Sequence, residues 1–442
     1  MKVLMISSNT LPASPSGPAY VAGALRQAGH IVDVYERLFA ADVAGELAAR
    51  LERFQPDVVG ISIRVVHGDA LAPDAPWGTR YTDLRPRVKE IVDAVRRHSA
   101  ARIVLGGPGF NYYARDWMDY LNVDEGIRGE GEESFPLFLK QLETGGDVST
   151  VPGCVTRRNG EFHSVPPRPV ENLNDQALPA YDLFDLPRYA QQKITPAIFT
   201  KRGCVFSCTY CPYSKLEGKH YRLKSPERVL AEVRHILQHT ADRRIMFCDN
   251  SFNVPHQHAV ALCRAFAAEG ADFRWGSGDI KPIGVTDEFC RLMEDSGCFY
   301  VNLAVESASD GMLKRMQRGY SARQVRDSLE ALCRSKVPFG ASLLLGAPGE
   351  TPDTIAETLS VLGDYDIPQG VWVTVGVYLW TDYQDIVAEV RQAGLLQDDK
   401  QLFNGMVYLS PELPRDYLKE LVASLRARKG YEVQFNKSCD FQ

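Results

Sequence analysis

Short apolar runs alternate with stretches of helical periodicity along the first third of the chain. Val3–Ser7 is a short apolar strand, and Tyr20–Ala28 spaces its apolar residues as a helix does, ending at Gly29, a suitable C-cap. Further strands are expected at Ile31–Tyr35, Asp57–Ile63, Ala101–Leu105 and Glu125–Ile127, and helices at Ala41–Phe54, Leu84–His98 and Ser134–Leu142. Strand–helix alternation of this kind predicts an α/β domain with a doubly wound, Rossmann-like parallel sheet over residues 1–148. Residues 149–195 change character: Val151–Val165 reads as a hairpin turning at Arg158-Asn159-Gly160, and Pro166, Pro167, Pro169, Pro179 and Pro187 mark a connector. Alternation resumes over 196–385, with strands at Ala197–Thr200, Arg244–Phe247, Phe273–Gly276, Tyr300–Val305, Gly340–Leu345 and Val371–Tyr378. Helices such as Pro226–Gln238, Gln257–Ala268, Asp287–Asp295, Ala322–Ser335 and Thr351–Leu362 lie between them, which predicts a partial (β/α)6 barrel. Residues 386–442 are expected to form a small, mainly helical cap.

Both predicted sheets place chemistry at the carboxyl ends of their strands. In the first domain these ends carry Gly106, Gly107, Pro108 and Gly109, then Gly129, Glu130, Gly131 and Glu132. Such glycines let a backbone approach a ligand closely, and they also serve as plain tight βα turns. In the barrel, Cys204 follows the first strand, Asp249 the second, Glu306 the fourth and Gly346 the fifth. The chain of 442 residues is 45% hydrophobic and 24% charged, long enough for two or three domains and without a disorder signature. A net charge of −6 argues against a nucleic-acid binder, and no run of 18 apolar residues predicts a membrane helix. Seven of the ten cysteines are scattered, so no disulfide framework is indicated and a cytoplasmic location is expected.

The other three form a cluster. Cys204-Val205-Phe206-Ser207-Cys208-Thr209-Tyr210-Cys211 has the spacing C-x3-C-x2-C, in a loop entered through Gly203 after an apolar strand. Thiolates are the ligands of iron–sulfur clusters. A structural zinc site wants four ligands, usually in paired halves, and no second half is present. The segment resembles the signature of radical S-adenosylmethionine (SAM) enzymes, including the aromatic Tyr210, which in that family packs near adenine. The resemblance implies a [4Fe–4S] cluster on Cys204, Cys208 and Cys211, with the fourth iron open to SAM, and reductive cleavage of SAM to a 5′-deoxyadenosyl radical. It also implies that Asp249 and Asn250, in Ile245–Phe252, accept from the SAM amino group. Glu306, in Asn302–Ser307, would hold the ribose hydroxyls, and Gly346, in Leu344–Glu350, would pass near adenine. Lys281 is a weaker candidate for the SAM carboxylate; the plain alternative is a solvated lysine. Gly319, in Lys314–Gly319, also fits the pattern.

The order of parts resembles the cobalamin-binding radical SAM enzymes, on Ser16-Gly17-Pro18, Ala28–Val34, Gly106-Gly107-Pro108 and Gly129–Glu132. That resemblance implies cobalamin over the carboxyl edge of the first sheet, Gly106, Gly107, Gly129 and Gly131 near it, and methyl transfer from SAM through cobalt to a carbon or phosphorus of a small metabolite. An external electron donor such as flavodoxin or ferredoxin would be required. Two departures stand out. The Asp-x-His-x-x-Gly motif that supplies a cobalt-ligating histidine in many cobalamin proteins is absent, and His30 and His67 lie outside any such context. The sixth strand reads Gly376-Val377-Tyr378-Leu379-Trp380-Thr381, without the arginine common in the family. Two other readings therefore stand beside methyl transfer. One is a cobalamin-independent radical SAM enzyme for rearrangement, cyclisation or 3-amino-3-carboxypropyl transfer; the other is a non-enzymatic iron–sulfur or corrinoid sensor. Cys439 reads either as a frayed tail residue or as part of a tail folded back over the open iron.

Overall fold

A computed structural model of the chain describes residues 1–71, 79–270, 272–381 and 383–435. Cys439 lies outside the described residues. The chain divides into two compact units, Met1–Ala197 with Glu232–Asp242, and Ile198–Ala231 with Arg243 onward.

The first unit holds a seven-stranded sheet. Its strands are β1 (Lys2–Ser7), β2 (Ile31–Glu36), β3 (Val58–Ser62), β4 (Arg102–Gly106), β5 (Glu125–Ile127), β6 (Cys154–Arg158) and β7 (Glu161–Ser164). Their spatial order is β2-β1-β3-β4-β5-β6-β7. The first five are parallel, with Val3 paired to both Val32 and Val58, and the chain reverses only at β6 and β7. Burial explains the apolar runs: Val3, Leu4, Ile6, Val58 and Val59 are fully buried, as strands covered on both faces require. The sequence-read hairpin is therefore the antiparallel edge of this sheet. It turns at Asn159 and Gly160, whose φ values of 53° and 81° are the pair a type I′ turn demands. One element escaped the pattern. His67–Leu71 pairs antiparallel with Thr79–Asp83 just beyond the carboxyl end of β3.

The second unit carries the other seven-stranded sheet. Its strands are β8 (Ala197–Ile198, at the division between the units), β9 (Arg244–Phe247), β10 (Arg274–Ile280), β11 (Cys298–Glu306), β12 (Phe339–Leu345), β13 (Val371–Val375) and β14 (Tyr431–Phe435). They neighbour one another in chain order, and every pair from β9 onward is parallel, the winding of a βα-barrel wall. Three boundaries differ from expectation. Strand β10 runs to Ile280 rather than stopping at Gly276, so it carries Asp279 to the site. The sixth strand breaks at Gly376 (φ 88°), and Val377–Leu379 turns away to pair with Met406–Tyr408. The region expected to be a mainly helical cap also supplies β14, which pairs in parallel with β13 and lengthens the barrel wall to a seventh strand. An amphipathic helix, Arg415–Ala427, leads into that strand and buries Leu418, Val422 and Leu425.

Candidate active site

The cysteine loop opens on a cavity of about 330 Å³ in the second unit. Cys204, Cys208 and Cys211 all line it, with Tyr210, Asp279, Lys281, Glu306 and Arg318. Cys204 and Cys208 are buried and Cys211 is half-buried. Burial pushes the Cys204 thiol up and that of Cys211 up to about 12, so bare thiolates are disfavoured and a cationic partner is needed to hold them ionised. Among the described residues no three His, Cys, Asp or Glu side chains converge on one point as a single metal ion requires. A cubane asks less convergence of its thiolates, because each binds a different iron. The three thiols on one cavity wall therefore fit a [4Fe–4S] cluster and do not fit a zinc site.

Braces hold the loop from below. Asp249 is buried at the end of β9, and both its oxygens are engaged. Oδ1 accepts from the backbone N–H of Thr200 (2.8 Å) and of Lys201 (3.3 Å); Oδ2 accepts from the Thr200 hydroxyl (2.5 Å) and Lys201 Nζ (3.2 Å). Four donors exhaust a carboxylate's acceptor sites. Asn250 Nδ2 donates to Glu217 at 2.8 Å, and Glu217 also accepts from the N–H of Gly203, the residue before Cys204. Both residues line the cavity, as expected, but their polar atoms fasten the strand and turn that carry the cysteines. The four acceptor sites of Asp249 expected to face SAM are taken up here by donors of the chain itself.

Asp279 was missed because the pattern ended its strand too early. Its Oδ1 is buried without a hydrogen-bond partner, and the nearest cation is Lys281 Nζ at 3.5 Å. Burial raises its carboxyl, with Lys281 and Arg318 pulling the other way. A buried carboxylate oxygen without a hydrogen bond costs free energy. Lys281 is not the solvated lysine of the plain reading. It is 5% exposed, lines the cavity and lies 5.8 Å above the Phe206 ring.

Glu306 ends β11 with φ 58°, in the left-handed region that non-glycine residues enter at a cost. The β11–β12 register shifts between Ala304 and Glu306. This irregularity re-aims the last side chain of the strand, and Glu306 lines the cavity. Burial raises its carboxyl; Arg318, 3.9 Å away, and then Lys281 oppose the rise. Tyr210 also lines the cavity, its hydroxyl accepting from Arg318 Nη1 at 2.6 Å. Gly346 does not line it. Its φ is 93°, and a side chain there would meet Leu409, so it shapes the turn after β12. Its N–H donates to Glu350, whose buried Oε1 has no partner. Trp380 stacks edge-on against Tyr378, with ring centres 5.0 Å apart.

In the first unit the turns after β4 and β5 hold the four glycines singled out in the sequence. Gly107 has φ 93°, and a Cβ there would lie 2.5 Å from the carbonyl of Ile63. A Cβ on Gly129 would meet Pro167 at 2.5 Å, and one on Gly131 would meet Val21 at 3.1 Å. Gly106 is looser, with 3.6 Å to the carbonyl of Ile127. Gly107 and Gly129, both at positive φ, are thus demanded by the packing of the chain against itself. At the same carboxyl edge, after β1, the hydroxyl of Thr10 is buried without a partner. An open strand edge with an unsatisfied hydroxyl fits a ligand over this sheet. Neither singled-out histidine is placed as a free ligand: His30 sits at the opposite, amino edge beside the Met1 amine (3.3 Å), and His67 pairs with Asp83 at 3.7 Å. Among the described residues no helix is long and apolar enough to cross a membrane.

Comparison with known proteins finds two domains in the chain. Residues 2–139 match the B12 binding domain model and residues 198–362 the Radical SAM superfamily model. The chain is 26% identical over 379 residues to an uncharacterized methyltransferase of Pyrococcus horikoshii, covering 83% of this chain and 79% of that one. It is 26% identical to the hopanoid C-3 methylase of Methylococcus capsulatus (84% and 68% covered). It is 21% identical to an anaerobic magnesium-protoporphyrin IX monomethyl ester cyclase of Cereibacter sphaeroides (81% and 58% covered). In fold it resembles TsrM of Kitasatospora setae, a radical SAM methyltransferase solved with tryptophan and a SAM analogue, with a TM-score of 0.81 at 20% identity over 96% of this chain and 89% of that one. The chain thus carries a B12-binding domain and a radical SAM domain in tandem, as the cobalamin-binding radical SAM enzymes do, and these domains imply cobalamin, a [4Fe–4S] cluster and SAM as cofactors.

Proposed function

We propose that this enzyme is a methyltransferase that alkylates an unactivated carbon or phosphorus of a small metabolite. One observation carries the reading: a cavity holding three thiols and two opposed pairs of charge occurs in a chain that also bears a B12-binding domain. When bound, the cluster supplies the electron that cleaves the sulfonium, and cobalamin supplies a methyl group that no side chain can. The protein's part is to hold, orient and shield. Cys204, Cys208 and Cys211 hold the cluster, and Asp249 and Asn250 keep their loop in place. SAM is a zwitterion with a ribose, and the charged lining matches it group by group. The carboxylate of Asp279 takes the ammonium, Lys281 takes the carboxylate, and Glu306 takes the ribose hydroxyls. Tyr210 walls the cavity near the adenine. In the first unit, the turns at Gly106–Gly107 and Gly129–Gly131, with Thr10, would hold the corrin at the carboxyl edge of the sheet.

The likeness to a ring cyclase keeps a second reading in view, a radical SAM reaction without methyl transfer. Anaerobic purification with hydroxocobalamin, followed by turnover and analysis of SAM-derived products, separates the two. Methyl transfer is expected to retain corrin stoichiometrically and to yield both S-adenosylhomocysteine and 5′-deoxyadenosine. Methylthioadenosine as the main product, or failure to retain corrin, would overturn the methyltransferase reading and leave the radical SAM assignment standing.

A further inference from the structure

Arg318 lies in the turn after a short helix, Asp310–Arg315, and its side chain is buried, 3% exposed. A buried guanidinium must place its donors, and this one places them all around the cysteine loop. Nη1 donates to Cys208 Sγ (3.4 Å) and to the Tyr210 hydroxyl (2.6 Å). Nη2 donates to the carbonyl of Ala304 (3.1 Å) and faces Glu306 Oε1 at 3.9 Å. Nε donates to the Tyr320 hydroxyl (2.8 Å), which in turn donates to the carbonyls of Ala304 (2.7 Å) and Val305 (3.0 Å). The guanidinium is thus fixed on the side of β11 and aimed at one cluster thiolate.

We infer that Arg318 is a positioning residue that raises the reduction potential of the cluster through its N–H···S contact with Cys208. The inference rests on the assignment of the cluster to Cys204, Cys208 and Cys211. Reduction adds negative charge to the cluster. An N–H donated to a ligand sulfur, together with a fixed positive charge in a dry site, stabilises the reduced form more than the oxidised form. The geometry is particular to arginine. A lysine ammonium is a point charge with three donors, and it cannot reach Cys208 and Tyr210 on one side while holding Ala304 and Tyr320 on the other. Among the sulfurs of the three ligand cysteines, only that of Cys208 receives a side-chain donor among the described contacts.

The test uses the full chain, reconstituted anaerobically, without SAM, and follows the paramagnetic signal of the reduced cluster in a potentiometric titration. Arg318→Gln is expected to lower the midpoint so that about tenfold less cluster is reduced at a given potential, which is 59 mV for a one-electron couple. Arg318→Lys should fall between, since it keeps the charge and loses the fork. Tyr320→Phe keeps the arginine and removes one of its anchors, and a smaller downward shift is expected. A direct readout needs no variant. Protein labelled with 15N-arginine should show a nitrogen coupling to the reduced cluster in electron–nuclear resonance. If Arg318→Gln fails to hold iron, Tyr320→Phe and the labelled wild-type protein decide. An unmoved midpoint in the variants that hold iron, or no arginine coupling, overturns the inference while leaving the cluster intact. A wild-type chain that takes up no cluster overturns the ligand assignment itself.

Discussion

Asp249 and Asp279 end neighbouring strands beside the same cavity, yet they have opposite surroundings. The first accepts four hydrogen bonds and pairs with Lys201, whose side chain is 2% exposed against 0% for Asp249. The second keeps an unpartnered oxygen. Removing the charge from one side of a buried ion pair strands the other charge. Asp249→Asn is therefore expected to cost about 3 kcal/mol in denaturant unfolding. Asp279 faces Lys281 at 3.5 Å, but its side chain is 32% exposed, so solvent screens that pair and Asp279→Asn should cost less, about 1 kcal/mol. Calorimetric titration with SAM on the cluster-loaded protein should give the reverse order, with Asp279→Asn weakening binding more at matched iron content. Equal stability loss in both variants would contradict the division of roles. Cys208→Ala should lose the visible absorbance of the cluster after reconstitution, while Cys333→Ala, an exposed thiol remote from the cavity, should keep it. The three cysteines were legible in the sequence because a ligand set is a spacing. The choice between the two aspartates was not, because it depends on which donors arrive from Thr200 and Lys201, about fifty residues earlier.

At the scale of elements, apolar runs placed most strands of the two sheets, and turn chemistry gave the hairpin at Asn159-Gly160. Two of the differences share a cause: polar residues inside strands. Strand β10 continues through Ser277, Gly278 and Asp279, and β14 reads Tyr-Glu-Val-Gln-Phe, so neither is apolar enough throughout to announce itself. Their membership is decided by parallel partners far away in sequence. The turn after β12 shows a related effect with a measurable consequence. Glu350 is fully buried, and burial pushes its carboxyl from 4.5 up to about 7, against the pull of the Gly346 and Ala347 N–H groups. Between those two values the native state holds a proton that the unfolded chain has released. Stability therefore falls as pH rises from about 4.5 to about 7, then levels off. The expected loss from this group is about 3 kcal/mol. Glu350→Gln keeps the shape of the neutral acid and should flatten that part of the profile. The check is urea unfolding of both proteins at several pH values; a wild-type profile no steeper than that of the variant would rule the effect out.

At the scale of the whole molecule, each unit presents the carboxyl edge of a parallel sheet, and each edge carries unsatisfied polar atoms, Thr10 in one and Asp279 in the other. Among the described residues, neither His30 nor His67 stands free at the first edge. His30 is held at the amino edge near Met1 and Glu143, where burial and then the neighbouring amine lower its pKa. His67 is buried against Asp83 in the hairpin beyond β3. Moving His67 to a cobalt atom would leave Asp83 with Arg85 alone of those two partners and would disturb the hairpin that His67 begins. Cobalamin bound to this chain is therefore expected to carry no histidine ligand. In the cobalt(II) form, labelling the protein with 15N-histidine should leave the splitting pattern of the electron paramagnetic spectrum unchanged. His67→Ala should retain corrin at the wild-type stoichiometry. A splitting that converts from three lines to two on histidine labelling would mean that an imidazole does reach the metal, and the first unit would then have to rearrange its hairpin to bind its cofactor.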